Sequence, residues 1–113
     1  MAKPKQSILA ISGSATINSS NEKILHAIKN GFEEQVNIEV CNIIKELPHF
    51  NPGLTEEPPL VVQQFFDKIK AADGVLICTP EYIFSIPAIL KNALEWTVST
   101  LGYAVKFDLE GLI

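Results

Sequence analysis

Hydrophobic positions along the chain fall into two kinds of segment that alternate with one another. Three short segments are rich in apolar residues, as in the buried strands of a parallel sheet. They cover Ser7–Ser12, Val36–Ile44 and Val75–Thr79. Longer segments with helical spacing follow them in turn, and they cover Ser20–Gln35, Leu60–Ala72 and Ile86–Thr100. Because alternating strands and helices join through right-handed crossovers, the pattern predicts an α/β fold with a parallel sheet.

The predicted helices carry apolar faces that we expect to pack on this sheet. In the first helix, Ile24, Ile28 and Phe32 recur at positions i, i+4 and i+8, and Leu25 lies beside them. Pro87 stands in the first turn of the third helix, where its missing N–H breaks no hydrogen bond. The second helix has a similar face, which comprises Val62, Phe65, Phe66 and Ile69.

Composition and charge narrow the range of functions. The chain has 113 residues, and we expect one domain over residues 1–113. Hydrophobic residues make up 47% and charged residues 19%, which is ordinary for a globular protein. The net charge of −4, without a cluster of Lys or Arg, argues against a nucleic-acid or anionic membrane surface. No apolar run is of membrane-spanning length and no signal peptide is apparent, so we expect a cytoplasmic protein.

Cysteine and histidine residues give no sign of a metal or redox centre. Cys41 and Cys78 are isolated, each within a predicted strand, and we expect both to be small buried hydrophobes. His26 and His49 have no nearby Cys or His partner, which argues against a zinc site.

The first turn, Gly13–Asn21, is rich in hydroxyl and amide side chains. Because a helix begins here, its free N–H groups and positive dipole end point into the loop. The loop lacks the glycines of G-x-G-x-x-G and the Gly-Lys-Ser/Thr of a P-loop, so a monophosphate fits it better than a pyrophosphate. A simpler interpretation is that these residues only cap the helix. The candidate phosphate ligands are Ser14, Thr16, Ser19, Ser20 and Asn21.

The segment after the third strand, Pro80–Trp96, reads PEYIFSIPAILKNALEW. It resembles the flavin-contact loop of the NADPH-dependent FMN reductase family, P-E-Y-N-x-S-x-P-G-x-L-K-N-A. Ile83 and Ala88 depart from that pattern. The matching residues are Pro80, Glu81, Tyr82, Ser85, Pro87, Leu90, Lys91, Asn92 and Ala93.

The first turn also resembles the family pattern G-S-x-R-x-x-S-x-N. Thr16 replaces the usual Arg there, which keeps a donor but loses a charge. The matching residues are Gly13, Ser14, Ser19 and Asn21.

The resemblance implies a three-layer flavodoxin-like sheet with strand order 2-1-3, in which strands four and five of the family are absent or replaced. The first turn and the Pro80–Ser85 loop then meet at the switch point of the sheet. We expect FMN to span the two loops, with its phosphate at the first turn. We expect Tyr82 to offer an aromatic face near its ring, and backbone groups of Glu81–Ile83 to bond its pyrimidine edge. The candidate residues at the ring are Pro80, Glu81, Tyr82 and Ile83.

By resemblance, the function is NAD(P)H-dependent reduction of FMN, with FMN and NADPH as cofactors. Electrons then pass to a small acceptor such as a quinone, an azo compound, a metal ion or oxygen. No acid–base residue is assigned, because hydride transfer needs stacking and orientation rather than a proton shuttle. Two alternatives remain: an FMN-binding electron carrier without a nicotinamide site, and a non-catalytic remnant that oligomerises without flavin.

The third helix is expected to form a homodimer or homotetramer interface, as it helps to do in the family. Trp96 would then be shielded by the partner, while Lys91, Asn92 and Glu95 would lie on a solvated face. Glu81 has an alternative role as a partner of Lys91.

The resemblance covers roughly residues 8–99, and the tail Gly102–Ile113 does not match the family's fourth-strand region. A truncated chain or an altered coding sequence would account for this tail. In either case strand three becomes an edge that must be covered. We expect Tyr103–Phe107 to act as a substitute fourth strand, or a second chain to pair with the edge.

Overall fold

The computed structural model describes residues 4–16 and 18–101, with side chains to residue 98. Its strands are β1 (Gln6–Ser12), β2 (Val36–Cys41) and β3 (Gly74–Cys78). Its α-helices are α1 (Ser20–Phe32), α2 (Leu60–Ala71) and α3 (Ala88–Leu101). Two short 3-10 helices, Ile43–Glu46 and Pro52–Leu54, lie between β2 and α2.

The three strands form one parallel sheet in the order β2-β1-β3. Ile8 of β1 lies opposite Ile38 on one side and Gly74 on the other. With a strand on each side, β1 is the most buried of the three, and it is buried from Leu9 to Ser12. The predicted strand order and parallel pairing are confirmed.

Helices cover both faces of the sheet, which makes three layers. On one face α2 and α3 enclose the larger core, in which Trp96, Val62 and Phe65 are almost fully buried. On the other face α1 covers a smaller core built around Leu25 and Ala10. The flavodoxin-like architecture predicted from the sequence is therefore present in the part of the chain that the structure describes.

The predicted apolar face of α1 was only partly right. Leu25 is fully buried and Ile28 packs against the sheet, but Ile24 is 49% exposed and Phe32 is 53% exposed. Ile24 lies on the flank of the buried stripe, and Phe32 is the last residue of the helix. A periodic pattern does not show how far the sheet extends beneath the helix.

Some element ends also differ from prediction. The chain leaves β2 after Cys41 and turns into a 3-10 helix, so Ile43 and Ile44 are not strand residues. Within the described residues β3 pairs only with β1, which leaves its other edge open. Tyr103–Phe107 lies outside the described residues, and its role as a fourth strand stays a prediction.

Between residues 4 and 101, where the structure describes helices, none is long and apolar enough to cross a membrane. The cytoplasmic location stays a prediction.

Candidate functional site

The loops that leave β1 and β3 lie side by side at the same edge of the sheet. Gly13 N donates a hydrogen bond to the carbonyl oxygen of Cys78, with a distance of 2.8 Å between nitrogen and oxygen. A Cβ atom added at Gly13 would lie 2.4 Å from Oγ1 and 2.7 Å from Cβ of Thr79. Only glycine fits this contact without a shift of the neighbouring loop, so Gly13 is what lets the two loops approach.

The first loop, described at residues 13–16 and 18–19, is shaped by hydrogen bonds from its own backbone to its hydroxyl groups. Ser12 Oγ accepts from Ser14 N at 3.3 Å, and Ser14 Oγ accepts from Thr16 N at 3.1 Å. The Ser14 side chain is nearly buried, whereas Thr16 is exposed. Each hydroxyl oxygen acts as an acceptor here and still carries a hydrogen that it can donate to an anion.

The start of α1 is capped by Ser19. Its Oγ accepts from Glu22 N at 3.2 Å, and its backbone is extended as an N-cap residue requires. Glu22 reaches back in turn, and its Oε2 accepts from Asn18 N at 3.1 Å. Asn18 has a φ of 56°, in the left-handed region that Asn tolerates. Ser19 therefore caps α1, and the hydrogen of the Ser19 hydroxyl is not used in this contact.

Asn21 ties α1 to the end of β3. Cys78 Sγ donates to Asn21 Oδ1 at 3.2 Å, so the amide oxygen is occupied while the amide N–H groups are not used in this contact. Ser20, at the first helical position, is exposed. Asn21 therefore positions the first loop against β3, a role that the sequence did not indicate.

Both cysteines are free thiols, but only Cys41 is buried as expected, because Cys78 is half-buried and its thiol donates a hydrogen bond to Asn21. Cys41 is buried, and this burial raises the pKa of its thiol, against the opposing effects of a backbone hydrogen bond at Ile43 and the charge of Lys68. Among the described residues no three His, Cys, Asp or Glu side chains cluster as metal ligands.

The second loop, residues 79–87, contains a tight two-residue turn. Tyr82 and Ser85 exchange two backbone hydrogen bonds, of 2.9 Å and 3.0 Å. Between them Ile83 has a φ of 50° and Phe84 a φ of 59°. These left-handed values are those of a type I′ turn, which favours Asn and Gly. The departure from the family pattern at Ile83 thus falls where a β-branched residue is strained.

The tip of the second loop is apolar and open to solvent. Ile83 is 93% exposed, Phe84 is 95% exposed, and the Tyr82 ring beside them is half exposed. Pro80 is half-buried and Glu81 is exposed. Lys91 pairs with Glu95, with 2.6 Å between Nζ and Oε1, so the alternative pairing of Lys91 with Glu81 is not formed.

α3 follows the second loop and binds a further loop, which contains Pro48 and Phe50. Asn92 Oδ1 accepts from Phe50 N at 2.7 Å, and Asn92 Nδ2 donates to the carbonyl oxygen of Pro48 at 2.9 Å. Trp96 Nε1 donates to the same carbonyl oxygen at 2.9 Å. The Phe50 ring meets the Trp96 ring edge to face, with centroids 5.1 Å apart. His49, between these anchors, is exposed.

These contacts correct two predictions about α3. Trp96 is fully buried by its own chain and needs no partner to shield it. Asn92 does not lie on a solvated face, because both ends of its amide bind backbone groups. The available signal was the i, i+4 spacing of Asn92 and Trp96, two side chains that can reach one backbone segment together.

A cleft of about 290 Å³ lies away from both loops, between α2 and the first halves of β1 and β2. Its polar lining includes Lys68 and Glu39, which pair at 3.0 Å, and the hydrogen bond that Lys68 donates to Glu39 raises the pKa of Lys68. These two charges pair with each other, and the other polar residues of the lining are Ser7 and Asn37.

Comparison with known proteins shows the family of the chain. The model of the NADPH-dependent FMN reductase family matches residues 6–107. The NADH:(hydroxy)cinnamate reductase subunit CrdA of Vibrio ruber is 42% identical over 88 residues, which are 78% of this chain and 43% of that protein. The NADH-dependent flavin reductase subunit 2 of Lactobacillus johnsonii is 39% identical over 92 residues, which are 81% of this chain and 48% of that protein.

A solved structure shows the same fold. FerB from Paracoccus denitrificans, a flavoenzyme NAD(P)H:(acceptor) oxidoreductase, superposes with a TM-score of 0.75 at 31% identity. The match covers 82% of this chain and 50% of FerB. The chain thus spans about half the length of the relatives it matches. On its sequence, its strand order and these matches, the chain belongs to the NADPH-dependent FMN reductase family.

Proposed function

We propose that the chain binds FMN across its two loops and supports NAD(P)H-dependent reduction of that flavin. The observation that carries the proposal is the contact at Gly13, which brings the hydroxyl-lined first loop against the loop that contains Pro80–Tyr82. A ligand with a phosphate at one end and a flat ring at the other fits two such loops.

The residues present suit the phosphate end of FMN. The hydroxyls of Ser14 and Ser19 accept from backbone N–H groups and are left with hydrogens to donate. Thr16 and Ser20 are exposed at the mouth of the loop, and Asn21 has amide hydrogens to offer. The positive end of the α1 dipole adds to the attraction for an anion.

The second loop suits the ring end. Tyr82 presents half of its surface beside the turn, and the backbone of Glu81–Ile83 supplies donors and acceptors at the edge of the loop. FMN, when bound, supplies the chemistry of accepting a hydride from a nicotinamide and passing electrons to an acceptor. The chain's own part is to bind, orient and partly cover the ring, and we assign no acid–base residue.

The proposal extends to the electron acceptor and to the oligomeric state. A small molecule such as a quinone is the acceptor class that we propose, with NADPH or NADH as donor. A homodimer or homotetramer is proposed as well. The support for it is the apolar tip at Ile83 and Phe84, which a neighbouring subunit would cover.

Flavin titration tests the proposal directly. FMN fluorescence should be quenched on binding to the wild-type protein, and Ser14→Ala should weaken FMN binding by about ten-fold or more, because a hydrogen bond to a charged group is worth about 1.5–3 kcal/mol. Riboflavin, which lacks the phosphate, should bind both proteins equally.

Turnover and a control outside both loops complete the test. Thr55→Ala removes a loop hydroxyl that donates to the carbonyl oxygen of Pro52, and it should leave the binding of both flavins unchanged. Turnover of bound FMN with NADPH and a quinone separates a reductase from an electron carrier without a nicotinamide site. A chain that binds neither flavin at millimolar concentration would contradict the proposal.

A further inference from the structure

The carboxylate of Glu22 is turned toward the first loop. Its Oε2 accepts from Asn18 N at 3.1 Å, and its side chain is only 18% exposed. His26 lies one turn further along α1, with its Nε2 4.0 Å from Glu22 Oε1. Glu22 is the one acidic residue in the first turn of α1, and the nine residues 13–21 include no Lys or Arg.

A loop N–H group of this kind is what an anion at the start of a helix would use. Here the protein's own carboxylate already holds the N–H of Asn18. A phosphate dianion at the loop would compete for that donor and would also meet a like charge, which disfavours its binding. With Thr16 in place of a basic residue, no cationic side chain within the loop offsets this repulsion.

We propose that Glu22 sets the specificity of the first loop, because its carboxylate competes with the flavin phosphate and so reduces the preference for FMN over flavins without a phosphate. The inference rests on the proposed function, since it concerns the phosphate end of the same site. With the Glu22 carboxylate present, the chain should prefer FMN over riboflavin less strongly than a loop with the same donors and no carboxylate would.

The chain offers a variant that removes the charge and keeps the cap. Glu22→Gln retains a side-chain oxygen that can accept from Asn18 N, and Gln serves as well as Glu at this position of a capping box. Glu33→Gln makes the same change of net charge at the other end of α1, where Glu33 is the C-cap residue. The 13 residues of α1 separate the two ends by about 20 Å, beyond the screening length of roughly 10 Å at 0.1 M salt.

FMN and riboflavin are titrated into the wild type and both variants at low and at high salt. Glu22→Gln should tighten FMN binding by about three- to ten-fold at low salt, less at high salt, and leave riboflavin binding unchanged. Glu33→Gln should match the wild type. Equal shifts for both flavins, or an FMN affinity unchanged by Glu22→Gln, would overturn the role of Glu22 while leaving flavin binding intact.

A second measurement does not depend on flavin. The backbone amide resonance of Asn18 is followed by NMR while inorganic phosphate is added. It should shift at several-fold lower phosphate concentration in Glu22→Gln than in the wild type. The same response in both proteins would show that the carboxylate does not compete. If no protein binds either flavin but the phosphate response differs, the proposed function fails and the competition by Glu22 stands.

Discussion

The two loops of the candidate site leave neighbouring strands at the same edge of the sheet, yet they are held in opposite ways. The first loop is polar and is fixed by hydrogen bonds between its own backbone and side chains, as at Ser14 and Ser19. The second has a strained apolar tip at Ile83 and Phe84. The first loop is thus fixed by hydrogen bonds to its own side chains, whereas the second is closed by backbone hydrogen bonds between Tyr82 and Ser85 and anchored by β3 and α3. Strained backbone at a loop tip is typical of functional loops.

A substitution at the contact between the two loops should have the largest effect on stability. Gly13→Ala places a Cβ against Thr79, and we expect it to lower the free energy of unfolding by about 2–3 kcal/mol, as for an overpacked core. Denaturant unfolding followed by Trp96 fluorescence measures this.

Gly31→Ala is the matched control, because an added Cβ there meets nothing within 4 Å. In helix α1 it should stabilise the protein by about 0.5–1 kcal/mol. Equal effects of the two substitutions would mean that the two loops do not touch as described.

Removing the cap should test how far the first loop depends on its own hydrogen bonds. Ser19→Ala leaves Glu22 N without its partner and should cost about 1 kcal/mol of stability. Ser20→Ala, one residue further along and exposed, should change stability by only a few tenths. Thermal unfolding by circular dichroism compares the two. A larger loss at Ser20 would show that another residue caps α1.

A substitution that relieves backbone strain tests the second loop. It should raise the free energy of unfolding, by less than Gly13→Ala and Ser19→Ala lower it. Ile83→Asn puts a residue that tolerates the left-handed region at a φ of 50°, and we expect a gain of about 0.5–1 kcal/mol. Ile83→Val keeps the branched Cβ and should give no gain. If Ile83→Asn destabilises the protein, the Ile83 side chain makes contacts that outweigh the strain, which would point to a covered tip.

Much of the fold was predictable from the sequence, because buried parallel strands and amphipathic helices leave clear patterns. The parallel pairing follows from that alternation and from the rules of crossover connections, whereas the order β2-β1-β3 and the meeting of the two loops followed from the resemblance to a flavodoxin-like family. The roles of Asn92 and Trp96 did not follow, because their shared acceptor, the carbonyl of Pro48, lies more than 40 residues away along the chain. Hydrogen bonds at such separation have no local signature.

At the candidate site the resemblance indicated that these two loops meet, but the sequence did not show which contacts single side chains make. Ser19 could be read as an N-cap because the S-x-x-E spacing of Ser19 and Glu22 is a local signal. The hydrogen bond between Cys78 and Asn21 joins β3 to α1, and these two elements are close together only in the folded chain. The positive φ of Ile83 could not be foreseen either, since isoleucine is among the residues least suited to it.

The central place of β1 has a consequence for how the chain is made. Of the three described strands β1 is synthesised before the other two. Its second neighbour, β3, follows Asp73, which forms a hydrogen bond with Ser7 from 66 residues further along the chain. At about 5–20 residues per second, roughly 3 to 13 s pass on the ribosome before β3 exists. During that time one side of an apolar strand is without its partner. We therefore expect folding to be slow for a chain of this size, and yield to improve when a chaperone is supplied.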